Sequence, residues 1–186
     1  MDKDLAQRLD RIESSLAIQQ LPIRYALAVD SRNIDAWVAL FPKNVNCGRL
    51  GSGRDVLHKQ ISGRISTCYR TVHQICGHQY EFIDENRARG HTYCRAEHEI
   101  GEAWMVMAIC YFDDYVREDG EWFFSRRRER HWYAVDFRKD APTAPFLPWG
   151  DEPPPELPGL FPTWLQYWNE VSPAQINAIT REPIVD

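Results

Sequence analysis

TVHQICGHQYEFIDENRARGHTYCRAEHEI, residues 71–100, decides the fold of this chain. Two stretches rich in β-branched and aromatic residues flank a short polar turn, Asp84-Glu85-Asn86. Over 90–100 the alternation is strict. Thr92, Cys94, Ala96, His98 and Ile100 project to one side, and His91, Tyr93, Arg95, Glu97 and Glu99 to the other, the period of a strand. His98 therefore shares a small, apolar, inward face. Residues 72–83 are also strand-like, with an unclear phase, and Gly77 marks a bulge where the phase changes.

Working outward, two more strands are expected over 103–117 and 121–133. Glu118-Asp119-Gly120 between them carries the Asp-Gly signature of a hairpin turn. Strands joined by tight turns make an antiparallel meander. Upstream the period is helical. Over 4–29, Leu5, Leu9, Ile12, Leu16, Ile23 and Leu27 recur at helical spacing, which predicts one buried face. Pro22 interrupts this pattern and predicts a kink or two abutting helices. Asn33 is placed to cap a second helix, 34–41, which Pro42 follows, and a third helix is expected over 54–65. Helices first and sheet second, without βαβ alternation, mean an α+β class.

Within 103–112 both strand faces are apolar: Met105, Met107, Ile109 and Tyr111 on one, Trp104, Val106, Ala108, Cys110 and Phe112 on the other. A single-layer sheet has one core side, so the second face predicts burial against another subunit. Past residue 137 the composition shifts. Ten of the twelve prolines lie between 142 and 183, yet Phe146, Trp149, Phe161, Trp164 and Trp168 lie among them. The expected division is a domain over 1–137 and an extended Pro-rich arm over 138–186. That arm packs on the domain or on a neighbouring subunit, either covering a pocket mouth or acting as a structural wrap.

Bulk properties exclude several classes. The 186 residues carry a net charge of −5, the wrong sign for a nucleic-acid binder. Arg126, Arg127, Arg128 and Arg130 form a basic run, read chiefly as the solvated part of a strand. Five cysteines, an odd number with no CxxC pair, and an N-terminus unlike a signal peptide point to reduced thiols in the cytoplasm. The longest apolar run has ten residues, against roughly twenty needed to span a bilayer, so no membrane partner is expected.

No Rossmann, P-loop, HExxH or GxSxG signature occurs, so no cofactor is expected. Cys68, His73, Cys76 and His78 form C-x4-H-x2-C-x-H, but an extended strand points His73 and Cys76 to opposite sides, unlike a zinc knuckle, and no metal is expected. Asp30, His73, His98 and Tyr25 form the better set. Each has a plain reading beside the catalytic one: a helix-end carboxylate, an edge histidine, a hydrogen-bonded core histidine, a packed ring. Together they offer chemistry without a cofactor. Histidine, with a pKa of about 6.5, takes a proton near neutral pH, and a carboxylate beside it fixes its tautomer. General acid–base help of this kind is worth roughly a hundred- to ten-thousand-fold per group.

Three stretches carry a resemblance: AIQQLPIRYALAVDSRNIDAWVALFPKNVN, TVHQICGHQYEFIDENRARGHTYCRAEHEI and YFDDYVREDGEWFFSRRRERHWY. Over about 12–135 the chain resembles the SnoaL-like branch of the nuclear transport factor 2-like superfamily, nearest to scytalone dehydratase, bile-acid 7α-dehydratase and hexachlorocyclohexane dehydrochlorinase. The resemblance implies an NTF2-like cone, a curved antiparallel sheet wrapped by N-terminal helices around a central pocket. It implies an Asp–His pair on Asp30 and His73, a matched Tyr25, and a second pocket histidine on His98. Where the fungal dehydratase has two tyrosines, this chain has Val29 and Arg49, and its Ser and Asn become Ile109 and Tyr111. Tyr111 is placed to supply the lost hydroxyl, and Arg127 to meet an anionic substrate group. The implied function is a cofactor-free lyase of the dehydratase type, or one losing a small aldehyde, on a hydroxylated aromatic or polycyclic substrate, assembled as a trimer. The alternatives are an isomerase or cyclase, and a non-catalytic binding or oligomer-forming module.

Overall fold

A computed structural model of the protein describes residues 3–138 together with residues 160 and 169. Three helices, α1 (Lys3–Asp30), α2 (Ile34–Val38) and α3 (Arg54–Ile65), precede four strands, β1 (Thr71–Phe82), β2 (Arg87–Ile100), β3 (Ala103–Glu118) and β4 (Glu121–Asp136). The strands pair in chain order, all antiparallel, as the curved, unclosed sheet expected of this α+β class. The Pro-rich arm lies outside the described residues, apart from Arg138, Leu160 and Asn169. Among the described residues no helix is long and apolar enough to cross a membrane.

Local chemistry sets the turns. Asn33 caps α2 by accepting from Ala36 N–H at 3.0 Å. Asp84 closes the β1–β2 turn by accepting from Asn86 N–H at 2.9 Å and Arg87 Nε at 2.7 Å. Asp119 and Gly120, with φ of 51° and 86°, form the left-handed pair that the β3–β4 hairpin requires. α2 ends at Val38, three residues earlier than expected.

One expectation reverses. Leu5, Leu9, Ile12, Leu16, Ile23 and Leu27 are exposed. The face of α1 that meets the body carries Ser14, Ile18, Leu21, Ala28 and Val29. Spacing identifies a stripe but not the side the sheet occupies, and α1 is apolar on two sides. The helix also runs unbroken through Pro22, which is buried inside it.

Two apolar clusters fill the space between helices and sheet. One joins Ile18, Leu21 and Val29 of α1 to Trp37, Leu40 and Ile61, and to Ala88, Tyr115, Trp122 and Phe124 at the hairpin end of the sheet. The other lines the middle of the sheet with Cys94, Ala96, Met105, Met107, Ile109, Tyr111 and Ala134. Tyr25 packs against both. On the outer face of β3, Val106 and Cys110 are buried, and Trp104, Ala108 and Phe112 are half-buried.

Bulges decide which side chains reach the interior. In β1 the register shifts between Ile75 and Gly77, with Cys76 as the extra residue. Beyond it His78 opposes Thr92 and joins His73 on the inner face. In β4 one shift beside Phe124 and another beside His131 bracket a segment in which Arg127, Glu129 and His131 oppose Asp113, Tyr111 and Ile109. Strict alternation from Phe124 would have sent Arg126, Arg128 and Arg130 inward instead.

Gly90 is required where β1 and β2 approach. A Cβ there would lie 2.3 Å from the Gln79 carbonyl oxygen and 2.7 Å from Tyr80 Cβ. Gly90→Ala is expected to destabilise the fold by about 2–4 kcal/mol, read as a lower urea midpoint, whereas Gly63→Ala, with open space around its Cβ, is not.

Candidate active site

Asp30 is the last residue of α1, the negative end of a helix with no basic residue in its last turn. A carboxylate there is unfavourable unless donors surround it. Three do. His73 N–H donates to Oδ2 at 2.7 Å, the Thr71 hydroxyl donates to Oδ1 at 2.8 Å, and His73 Nδ1 lies 2.7 Å from Oδ1. Burial pushes the Asp30 carboxyl up, but these bonds and the adjacent imidazole outweigh it and hold the group below its usual range. The acceptor assigns the proton to Nδ1, which leaves the Nε2 lone pair of His73 as the basic atom.

Arg32 locks this arrangement and was not legible as a site residue. It sits at φ 60°, and its guanidinium donates to Val29 O at 2.7 Å, the Thr71 hydroxyl at 2.7 Å and Cys68 O at 3.0 Å. The Thr71 hydroxyl therefore accepts from Arg32 while donating to Asp30. One chain of donors ties the end of α1 to the start of β1.

Around His73 the expected residues converge. The His98 ring stands edge-on to it at 5.2 Å, and Tyr25 at 6.2 Å. Tyr25 in turn meets Tyr111 at 5.8 Å and Trp37 at 5.4 Å. Arg127 is buried beneath, its Cζ 4.3 Å from the Tyr25 ring and 3.9 Å from the Tyr111 ring. Burial pushes both phenols up despite the nearby Arg127 charge, so they remain O–H donors. Val29 and Ile109 are packed in the two apolar clusters. Arg49 stands apart, exposed on the 3₁₀ turn Gly48–Leu50, where no hydrogen bond or ring contact joins it to this group.

The basic run thus divides. Arg126 and Arg128 are exposed, while Arg127 is not. Its Nη2 donates to Asp113 Oδ2 at 3.1 Å, and its Nε approaches Oδ1 at 3.0 Å without hydrogen-bond alignment. Asp113 also accepts from the Thr92 hydroxyl at 2.9 Å and Tyr115 hydroxyl at 3.2 Å, and Tyr115 OH lies 2.8 Å from His78 Nε2. Burial raises the Asp113 carboxyl even against these donors. Glu129, paired with His131 Nε2 at 2.8 Å, completes the inner face of β4. Burial raises Glu129, but the His131 bond and charge prevail and lower it. Glu129 and His131 were missed because their inward direction depends on the β4 bulges, whereas Asp113 continues by plain alternation the inner face of β3 that Met105, Met107, Ile109 and Tyr111 begin. Among the described residues, no group of three or more His, Cys, Asp or Glu side chains could hold a metal ion.

Residues 10–128 match the SnoaL-like domain family. The chain belongs to the SnoaL-like family. A solved scytalone dehydratase-like protein from Novosphingobium aromaticivorans is 24% identical, with a TM-score of 0.59, over 69% of this SnoaL-like chain and 90% of that one. LinA is 22% identical, with a TM-score of 0.63, over 70% and 93% of the two chains. The hexachlorocyclohexane dehydrochlorinase LinA-type3 from Novosphingobium barchaimii is 21% identical, with a TM-score of 0.63, over 76% and 99%. At such identities the likeness concerns the fold. No curated protein matches the chain.

Two imidazoles of the SnoaL-like interior are held neutral. Burial, reinforced by the neighbouring His73 for His98 and by Arg127 for His78, pushes each down to about 4. The unfolded chain takes up these protons near pH 6.5, the folded chain only near 4. Their contribution to stability is therefore complete above pH 6.5 and is lost as pH falls from 6.5 to 4. Thermal melts are expected to show a falling Tm across that window, and His78→Gln or His98→Gln to flatten the fall.

Proposed function

We propose that this chain is a cofactor-independent lyase that eliminates water, or a small aldehyde, from a hydroxylated aromatic or polycyclic small molecule. The observation that carries the reading is the 2.7 Å contact between Asp30 Oδ1 and His73 Nδ1, with Nε2 left as the base. Family membership and the dehydratase and dehydrochlorinase names among the structural neighbours support it.

In the proposed step, His73 Nε2 takes the proton from a carbon beside an activating carbonyl or aromatic ring. The released electron pair becomes the new double bond, and the C–O bond to the β-hydroxyl breaks. The departing oxygen takes a proton from the His73 imidazolium, directly or through the Tyr25 hydroxyl, and leaves as water. Asp30 orients the imidazole and steadies its cation. His98, neutral at working pH, and Tyr111 hold the activating oxygen by hydrogen bonds, and the Arg127 charge behind the two tyrosines favours an anionic group there. The same reading carries homo-oligomeric assembly as a trimer and a cytoplasmic setting with no nucleic-acid or membrane partner, in keeping with the net charge of −5.

Turnover of hydroxylated aromatic and polycyclic compounds, followed by mass spectrometry, is expected to yield products lighter by one water or one small aldehyde. His73→Ala is expected to abolish that turnover and Asp30→Asn to reduce it by about a hundredfold or more, with circular dichroism unchanged. Full activity in folded His73→Ala would overturn the mechanism, and products of unchanged mass would indicate an isomerase.

A further inference from the structure

The reversed face of α1 has a use of its own, independent of the catalytic reading. Leu5, Leu9, Ile12, Leu16, Ile23 and Leu27 are between 43% and 70% exposed, a continuous aliphatic stripe along most of the helix. Single exposed leucines are ordinary, but six aligned on one helix mark a contact surface. At 3.6 residues per turn the stripe lies roughly half a turn from the face holding Ser14, Ile18 and Leu21, so a partner can approach without meeting the body of the domain.

The spacing of the stripe fits a second copy of the same helix. Leu5, Leu9, Ile12, Leu16 and Ile23 fall on the alternating three- and four-residue steps of a coiled-coil seam, with Gln19 filling the one polar seam place. Residues flanking such a seam meet across it in parallel helices when they are five apart. Arg8 and Glu13 are five apart, on opposite flanks, exposed and opposite in charge. In an antiparallel pair each flank would face its own row in the partner, where Arg8 finds a second Arg8 and Ser15, and no opposite charge.

We propose that α1 is a homotypic assembly surface, on which copies of this chain pack their first helices in parallel and in register. Leucine at the Leu9 and Leu16 seam places, with Ile12 between them, favours three or four strands over two. This contact is separate from the outer face of β3, where the sequence placed the subunit contact.

Light scattering on the full-length chain across a dilution series tests this. The wild type is expected to be an oligomer, and Leu9→Lys/Leu16→Lys to have the mass of one chain, 21.8 kDa, with unchanged circular dichroism. Arg8→Glu and Glu13→Arg, at exposed positions, are each expected to shift the dissociation midpoint roughly two- to fivefold towards higher concentration, and the double charge swap to restore it. A monomeric wild type would overturn the proposal, as would an oligomer indifferent to the lysine pair. So would a lowered Tm without a change in mass, which would mean that the chain covers its own stripe. If the lysine pair prevents folding, the charge swaps decide, and failure of the double swap to rescue overturns the parallel register.

Discussion

The Asp30 carboxylate is the constraint on which the interior depends. It sits where a helix least tolerates negative charge, and it is satisfied only because β1 begins beside it. A backbone N–H, a hydroxyl and an imidazole from Thr71 and His73 converge on two oxygens, and Arg32 holds the hydroxyl from behind. The contact joins the helical half of the chain to the sheet half. It also fixes the tautomer of a buried imidazole. The bonds that join the two halves of the chain are therefore also the ones that orient the imidazole.

The second determinant is the set of bulges. A strand shows alternate residues to opposite sides, so one extra residue reverses the assignment for everything beyond it. The Cys76 bulge lets His73 and His78 share the inner face. The two shifts in β4 turn Arg127, Glu129 and His131 inward and then restore the apolar Ala134. A buried arginine would be costly by itself. Here Asp113 compensates it, two tyrosine rings cover it, and Thr92 and Tyr115 complete the hydrogen bonding of the carboxylate. The result is an interior that is apolar at the hairpin end and polar around His73.

Membership of the SnoaL-like family fits this division of labour. A scaffold of helices over a curved sheet encloses a largely apolar interior in which a few polar groups are held by one another. Two neutral histidines, two protonated tyrosines and one fixed guanidinium supply a varied set of hydrogen-bond partners there.

Much of this was legible in the sequence because it is written in local periods. Alternation over 90–100, the Asp-Gly turn at 119–120 and the cap at Asn33 specify strands, hairpin and helix start through interactions only a few residues long. The pairing of Asp30 with His73 was legible through family resemblance, since nothing local links residues forty-three apart. What the sequence could not decide is direction. Two apolar stripes on α1 obey the same spacing, and only the packed sheet selects Ile18 and Leu21 over Leu9 and Leu16. Likewise, no pattern within Arg126–Arg128 marks the middle arginine as buried, because a bulge depends on the partner strand. Periodicity is a property of one segment, whereas the choice of buried face is a property of two segments in contact, and that choice exists only in the tertiary structure.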